Sequence, residues 1–296
     1  MRILFIGCVK SSSVFLQMLL ENGKKVAGVI TKKESPYNSD YCDLKPLCIK
    51  YGIEPFYTES INDKATKVFI DTVKPDIVYC FGWSELIGQE VISKVPKGVV
   101  GFHPAALPNN KGRHPIIWAL VLGLKRTASS FFMIDEKADH GAIISQKEIL
   151  ISDEDNAGSL YDKILSKAKM QVLEFTDAFE TNEVILFDQP DVIGNDWRKR
   201  TKKDGKIDFR MSARSIYNLV RGLSKPYVGA HFEFQEKEYK VWNTEIVTVE
   251  QDAYLNIEPG KVLEVYTRCS FLVKTGENLI KIIDCDEISI QNGDYL

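Results

Sequence analysis

No apolar run in this sequence approaches the roughly 20 residues that a membrane-spanning helix needs. The apolar start, residues 1–7, carries no small-residue cleavage site and reads as a first strand, not a signal peptide. A cytoplasmic protein with no membrane partner is the expectation. A surplus of positive charge is missing too: 38 Lys and Arg stand against 41 Asp and Glu, a net charge of −3. Binding to a polyanion draws much of its affinity from phosphate neutralisation, so no nucleic-acid partner is expected. The six cysteines form no Cys-x-x-Cys pair and have no histidine at zinc spacing, so no metal site is expected. Cys80, within DIVYCFG, reads as a buried reduced thiol. Internal repeats and low-complexity tracts are also lacking, which excludes solenoids and biased linkers.

What is present is alternation. Residues 2–7, 25–31, 54–58, 76–82 and 98–103 read as strands, and 12–22, 43–51 and 62–73 as helices, the last with Asn62 as its N-cap. Short continuous β-branched runs separated by helices predict an α/β fold. Its core is a Rossmann-like, mostly parallel sheet with helices on both faces. Residues 127–134 and 142–151 predict a meander pair around the loop 135–141, and a long helix over 157–179 follows. Trp118 begins a short apolar helix and reads as core. The basic run 197–209 reads as an exposed solvated linker. Beyond it come a helix over 212–222 and five short strands. The expected division is a first domain over 1–185, a linker over 186–211 and a small β-rich, barrel-like domain over 212–296.

Ligands of open α/β sheets bind beyond the carboxyl ends of the strands. Three segments of this chain meet there: 83–87, His103 and the loop holding Asp139. His103 leaves its strand into a proline-rich loop, which holds it rigidly near the surface; by itself it reads equally as functional or as a satisfied structural histidine. Asp139, in Asp-His-Gly, also fits an ordinary tight turn, and His114 and His140 stand nearby as candidates. Lys10, Ser11 and Ser12 lie between the first strand and first helix, where backbone amides and the helix dipole favour an anion. Ser12 as a plain N-cap is the equal alternative.

The order strand, His-Pro-x-x-Leu-Pro-x-x-x-Gly (103–112), then Asp-x-Gly (139–141), resembles the folate-dependent formyltransferases. Their signature is Asn-x-His-x-Ser-Leu-Leu-Pro-x-x-x-Gly with a distant Asp-x-Gly. The likeness continues through 202–209, 214–234 and 239–247, which are similar to the linker and carboxyl-terminal domain of the methionyl-tRNA and aminoarabinose formyltransferases. The resemblance implies 10-formyltetrahydrofolate as formyl donor, with His103 as proton shuttle and oxyanion contact and Asp139 as its carboxylate partner. It implies a pterin slot lined by Ser84, Glu85, Leu86 and Ile87 with Ile134 and Asp135. Lys10, Ser11, Ser12 and Asn109 fall on the side of the second substrate. Lys111 and Arg113 there suit a diphosphate.

The chemistry explains the pair. A neutral amine attacking a formyl carbon makes a negative oxygen and a positive nitrogen, and one imidazole beside a carboxylate serves several of the proton steps. This chain departs from the signature at Gly101, where the family has asparagine, and at Ala105-Ala106-Leu107-Pro108. Gly101 is expected to open a water-filled space beside the ring. His103 then becomes the donor to the formyl oxygen, with Asn109, Asn110 or a main-chain amide as alternatives. Residues 112–123 resemble the Gly-Arg-x-Pro-x-x-Trp stretch of aminoarabinose formyltransferase. The resemblance therefore implies a nucleotide-linked amino sugar as acceptor and a homodimer. Methionyl-tRNA as acceptor, and a non-catalytic folate- or nucleotide-binding relative, are the alternatives.

Overall fold

Burial on both faces explains why the first strands are apolar throughout: Ile3, Leu4, Phe5 and Ile6 are all fully buried. In the computed structural model, which describes residues 1–36, 38–190, 194–250 and 254–296, the elements run as follows. They open with β1 (Ile3–Ile6), α1 (Lys10–Glu21), β2 (Val26–Thr31), α2 (Lys45–Lys50), β3 (Phe56–Tyr57), α3 (Lys64–Val73) and β4 (Ile77–Cys80). Next come α4 (Gln89–Ile92), β5 (Val99–His103), β6 (Lys111–Gly112), α5 (Pro115–Val121), β7 (Arg126–Met133), β8 (Ile143–Leu150), α6 (Ala157–Thr181) and β9 (Asp196–Trp197). The remainder holds α7 (Ala213–Leu223), β10 (Ala230–Phe234), β11 (Lys237–Val247), β12 (Val262–Thr267), β13 (Ser270–Lys274) and β14 (Leu279–Cys285). Among the described residues no helix is long and apolar enough to cross a membrane.

The chain forms two compact units. One comprises Met1–Pro115, Arg126–Leu150 and Asp162–Trp197; the other comprises Ile116–Lys125, Ile151–Tyr161 and Arg198–Leu296. The first holds a seven-stranded sheet in the order β3-β2-β1-β4-β5-β7-β8. The strands through β5 pair in parallel, and β7 and β8 add antiparallel. Residue parity sorts its two cores. Phe15, Phe81, Phe102, Phe131 and Phe175 interlock on one face, with Phe15 edge-on to Phe102 at 5.1 Å. Leu4, Ile6, Ile30, Ile70 and Val78 pack on the other. Strand order reverses between β1 and β4, so the loops after β4 and β5 border the crevice where such sheets bind ligands.

Two helix starts differ from the sequence reading. Helix α1 begins at Lys10, and Ser12 is fully buried inside its first turn. Its hydroxyl accepts from the Val9 amide at 3.1 Å and donates to the Phe81 carbonyl at 2.5 Å. Asp63, not Asn62, caps α3 by accepting from the Thr66 amide at 2.6 Å. Asn62 is engaged elsewhere: its Oδ1 accepts from the Gly88 amide, and its Nδ2 donates to Glu85 and to the Leu86 carbonyl.

In the second unit α7, capped by Ser212, packs on an open antiparallel sheet of order β10-β11-β14-β13-β12. The expected barrel-like closure is not formed, because both edges are occupied otherwise. The Ile207 amide donates to the His231 carbonyl on β10, and the Val262 amide of β12 donates to the Asp294 carbonyl. Ile117 of α5 shares this core with Leu219, Phe232 and Phe271. The basic run 197–209 exposes Arg198, Lys199, Lys202, Lys203 and Lys206 but is anchored between them. Trp197 and Arg200 are buried, the Arg198 and Arg200 guanidiniums cover the Trp118 ring at 5.4 and 4.6 Å, and Ile207 and Phe209 join the core. Trp118 is thus a cation–π platform rather than simple core. Residues 191–193 of the expected linker lie outside the described residues.

Candidate active site

His103 is the last residue of β5, and the chain behind it is firmly held. The Ser130 hydroxyl donates to the Ala105 carbonyl at 2.6 Å, and Gln146 Nε2 donates to the Leu107 carbonyl at 3.0 Å. The imidazole is buried, so its orientation is set by its partners. Nε2 lies 2.7 Å from the Asn110 carbonyl oxygen. A carbonyl can only accept, so Nε2 carries the proton and Nδ1 is the free nitrogen. Nδ1 faces Asp139, with Oδ2 at 3.6 Å, beyond a direct hydrogen bond. That same Oδ2 accepts from the Gly112 amide at 3.0 Å. The ring is therefore oriented by the Asn110 main chain. Asp139, expected to orient it, stands opposite the free nitrogen instead. Both Asn110 and Asp139 hold left-handed backbone, φ 59° in each case, which asparagine and aspartate tolerate better than most residues.

A cleft of about 170 Å³ opens beside the pair. It is lined by Glu85, Leu86 and Ile87, by Ile134 and Asp135, and by Gly101, Phe132 and Asp139, while His103 reaches it only through Asp139. Five of the six residues expected around the pterin thus converge. Ser84 does not: its carbonyl accepts from Arg113 Nη1 at 3.1 Å, and its hydroxyl lies 3.5 Å from Asn38 Oδ1. Burial acts to raise the Glu85 carboxyl, but donors from Ser60, Ile61, Asn62 and Trp83 outweigh it and hold it below the usual range. Cys80 also lines the cleft, and burial pushes its thiol far up, so it stays protonated and is no nucleophile.

Beside Gly101 the expected open space is filled by protein. A Cβ at that position would stand 2.8 Å from the Phe132 ring and 3.0 Å from Ile134, because Phe132 is its antiparallel partner and leans across the bare glycine. An adjoining cleft of about 500 Å³ is lined by Lys111, Lys137 and His140 together with Asp135, Glu136 and Gln189. Lys111 Nζ lies 3.1 Å from His140 Nδ1. The other residues expected on the acceptor side line neither cleft. Lys10 pairs with Asp162 at 2.8 Å, Ser11 and Ser12 are buried, Arg113 reaches Ser84, and Asn109 backs onto Gly194. Lys137 falls within 134–138, the loop segment expected to border the pterin, but Phe132, Gln189 and Asn195 were not expected at the site. They sit in a strand and a polar stretch whose local pattern carries no sign of a site. Among the described residues, no group of three or more His, Cys, Asp or Glu side chains is placed to hold a metal ion.

A free imidazole nitrogen facing an anchored carboxylate that lines a cleft beyond the strand ends of an open α/β sheet defines a site for proton-coupled group transfer. Residues 1–176 match the formyl transferase family and residues 199–292 match the formyl transferase C-terminal domain, so the chain belongs to the formyl transferase family. One similar relative is the bifunctional polymyxin resistance protein ArnA of Wigglesworthia glossinidia brevipalpis. It is 30% identical over 309 residues that cover 99% of this chain and 47% of that protein, so the chain spans about half its length. The methionyl-tRNA formyltransferase of Alkaliphilus oremlandii is 26% identical over 286 residues, 95% of this chain and 90% of that one. Among solved structures, the N-formyltransferase from Helicobacter canadensis in complex with folinic acid and dTDP-3-aminofucose superposes with a TM-score of 0.70. It has 17% identity and covers 96% of this chain and 98% of that one, a likeness of fold.

Proposed function

We propose that this chain transfers the formyl group of 10-formyltetrahydrofolate to the primary amine of a nucleotide-linked amino sugar. The observation that carries the reading is the free Nδ1 of His103 facing the carboxylate of Asp139, which itself lines the cleft with Glu85–Ile87 and Ile134–Asp135. With the pterin seated in that cleft, the amine attacks the formyl carbon and Nδ1 takes its proton. Asp139, 3.6 Å away, favours the imidazolium that forms. The protonated Nδ1 then faces the new oxyanion and hands its proton to the departing folate nitrogen. Since Nε2 is held by Asn110, one nitrogen performs these steps in succession. Lys111 and Lys137 supply positive charge in the adjoining cleft, beside His140, and suit the diphosphate of the acceptor.

The fold shared with an enzyme solved with a dTDP-amino sugar favours a sugar acceptor. The match along 90% of a methionyl-tRNA formyltransferase supports tRNA as the second reading. Incubating the purified chain with 10-formyltetrahydrofolate and, separately, dTDP-, UDP- and GDP-linked amino sugars and methionyl-tRNA decides between them, by tetrahydrofolate release and mass of the product. Formamide on a sugar is the expected result. Formylation of methionyl-tRNA alone would move the acceptor, and no transfer to any would overturn the reading in favour of a non-catalytic relative. In the same assay His103→Ala and Asp139→Asn are expected to lower turnover at least about a hundredfold, within the range typical of positioned acid–base groups. The reading extends to a cytoplasmic homodimer, which cell fractionation and sedimentation test.

A further inference from the structure

The loops that carry His103 and Asp139 are each fastened by side chains outside the motifs 101–112 and 139–141. Phe187 exchanges both main-chain hydrogen bonds with Ile143, at 2.7 and 2.9 Å, which fixes where the following residues arrive. Gln189 Nε2 then donates to the Asp139 carbonyl at 2.9 Å and to the Gly141 carbonyl at 2.8 Å. Among the described residues its Oε1 is buried without a partner, and the two carbonyls set the orientation of this amide. Further on, Gly194 comes so close that a Cβ there would stand 3.1 Å from the Pro108 carbonyl oxygen. Asn195 Oδ1 accepts from the Asn110 amide at 3.1 Å, and its carbonyl accepts from the Lys111 amide at 3.1 Å. The Trp197 carbonyl accepts from the Arg113 amide at 2.8 Å, and a Cβ on Gly112 would collide with it at 2.4 Å. The motif glycine is thus required by a neighbouring main chain.

We propose that Gln189 and Asn195 are positioning residues of the reaction, Asn195 by fixing the tautomer of His103 and Gln189 by fixing the loop that presents Asp139. The proposal rests on the formyl-transfer reading for its kinetic part only. The Asn195 side chain grips the N–H of Asn110 while its main-chain carbonyl grips that of Lys111, so the peptides on both sides of Asn110 are held, and the left-handed backbone of Asn110 aims its carbonyl at His103 Nε2. While that carbonyl is in place the neutral ring keeps its proton on Nε2, and Nδ1 has a lone pair to take a proton from the amine. If the peptide turns away, the nearest remaining acceptor is the Asp139 carboxylate, which draws the proton to Nδ1 and removes the base. Gln189 acts on the other half: without its two hydrogen bonds the turn 139–141 loses its anchor on the side away from Gly112.

Long-range ¹H–¹⁵N spectra of the imidazoles, recorded above their titration, test the tautomer with no folate or sugar added. The His103 signals are assigned by their loss in His103→Gln; the chain has four histidines in all. The Nε2–H form is expected in the native protein. In Asn195→Ala, or in the milder Asn195→Ser should alanine unfold the chain, a shift toward Nδ1–H is expected. Asn195→Asp, which keeps an acceptor oxygen, should restore the native pattern. With substrates, Asn195→Ala and Gln189→Glu are expected to lower kcat roughly tenfold to a hundredfold with KM little changed, a fraction of the roughly 10⁴ that a wrong tautomer costs elsewhere. Asn195→Asp should recover kcat. An Nδ1–H ring in the native protein overturns the proposal. So does an Asn195→Ala protein, folded, whose tautomer is unchanged. If no acceptor supports turnover, the spectra alone decide, and the proposal stands or falls apart from the reading of function.

Discussion

Gly101 shows how a single residue is misread when its neighbours are unknown. Next to a catalytic histidine, a glycine in place of an amide side chain suggests vacant, hydrated space. The structure instead sets Phe132 across it, an aromatic ring covering a cross-strand glycine. The wall beside His103 is therefore apolar and full. Gly101→Asn is expected to force the ring and Ile134 aside and to destabilise the protein by about 1–3 kcal/mol, the usual cost of overpacking. Phe132→Ala empties part of the core and is costly by itself, but the double variant should lose less than the sum of the two single losses, because the amide then occupies the vacated space. Thermal unfolding of the single and double variants checks this; a Gly101→Asn protein that melts at the native temperature would show that the ring yields freely. His103 was legible as a candidate from its place at a strand end, but its pairing with Asp139 came from the resemblance of 103–112 and 139–141 to the formyltransferase signature. The Asn110 carbonyl that holds the ring was not legible, since every residue has a carbonyl.

At the scale of elements, the loop after β4 is built by a carboxylate. Glu85 receives Ser60 Oγ at 2.6 Å, the Ile61 amide at 2.8 Å and Asn62 Nδ2 at 3.0 Å, and so ties the cleft wall 85–87 to the segment before α3. Its carboxyl is held below the usual range, so its contribution is fully present above the unfolded value of about 4.3 and is lost as pH falls through the lower folded one. Glu85→Gln is expected to lower the urea midpoint at pH 7 and to converge with the native protein as the pH drops below about 4. Urea titrations of both proteins across that interval measure it, and a gap that persists at low pH would mean that the carboxylate charge is not what holds the loop. The resemblance implied Glu85 only as a lining residue of the pterin slot, with no part in building the loop. The hydrogen-bonding of Glu85 depends on Asn62, a residue whose local context reads as a helix cap.

Over the whole molecule, the two compact units interleave in sequence, with Ile116–Lys125 and Ile151–Tyr161 belonging to the unit completed by Arg198–Leu296. We propose that no single cut separates a functional amino-terminal half. A chain ended after Trp197 leaves Ile117 without the core it shares with Leu219, Phe232 and Phe271. Such a truncation is expected to aggregate or to melt without a cooperative transition, as size-exclusion chromatography and circular dichroism would show; a monomeric, cooperatively folding product would disprove the interdependence. The thiols add no covalent constraint at this scale. All six cysteines are free, and burial pushes Cys8 and Cys48 up to about 11, far from reactive at neutral pH.

By itself the sequence determined the parallel α/β unit, the order of its elements and the two side chains at the centre of the candidate site. Those follow from short-range patterns: strand and helix periodicity, turn residues, and the resemblance of 103–112 and 139–141 to the formyltransferase signature. Tertiary structure alone decided which groups hold them. Asn110 meets Asn195, Asp139 meets Gln189, Gly101 lies under Phe132, and Ser12 closes on Phe81. Each is a hydrogen bond or close contact between residues distant in the chain, made by common polar or small residues whose local pattern is that of any loop. A hydrogen bond of this kind selects its partner by position in space, and no local sequence pattern carries that position.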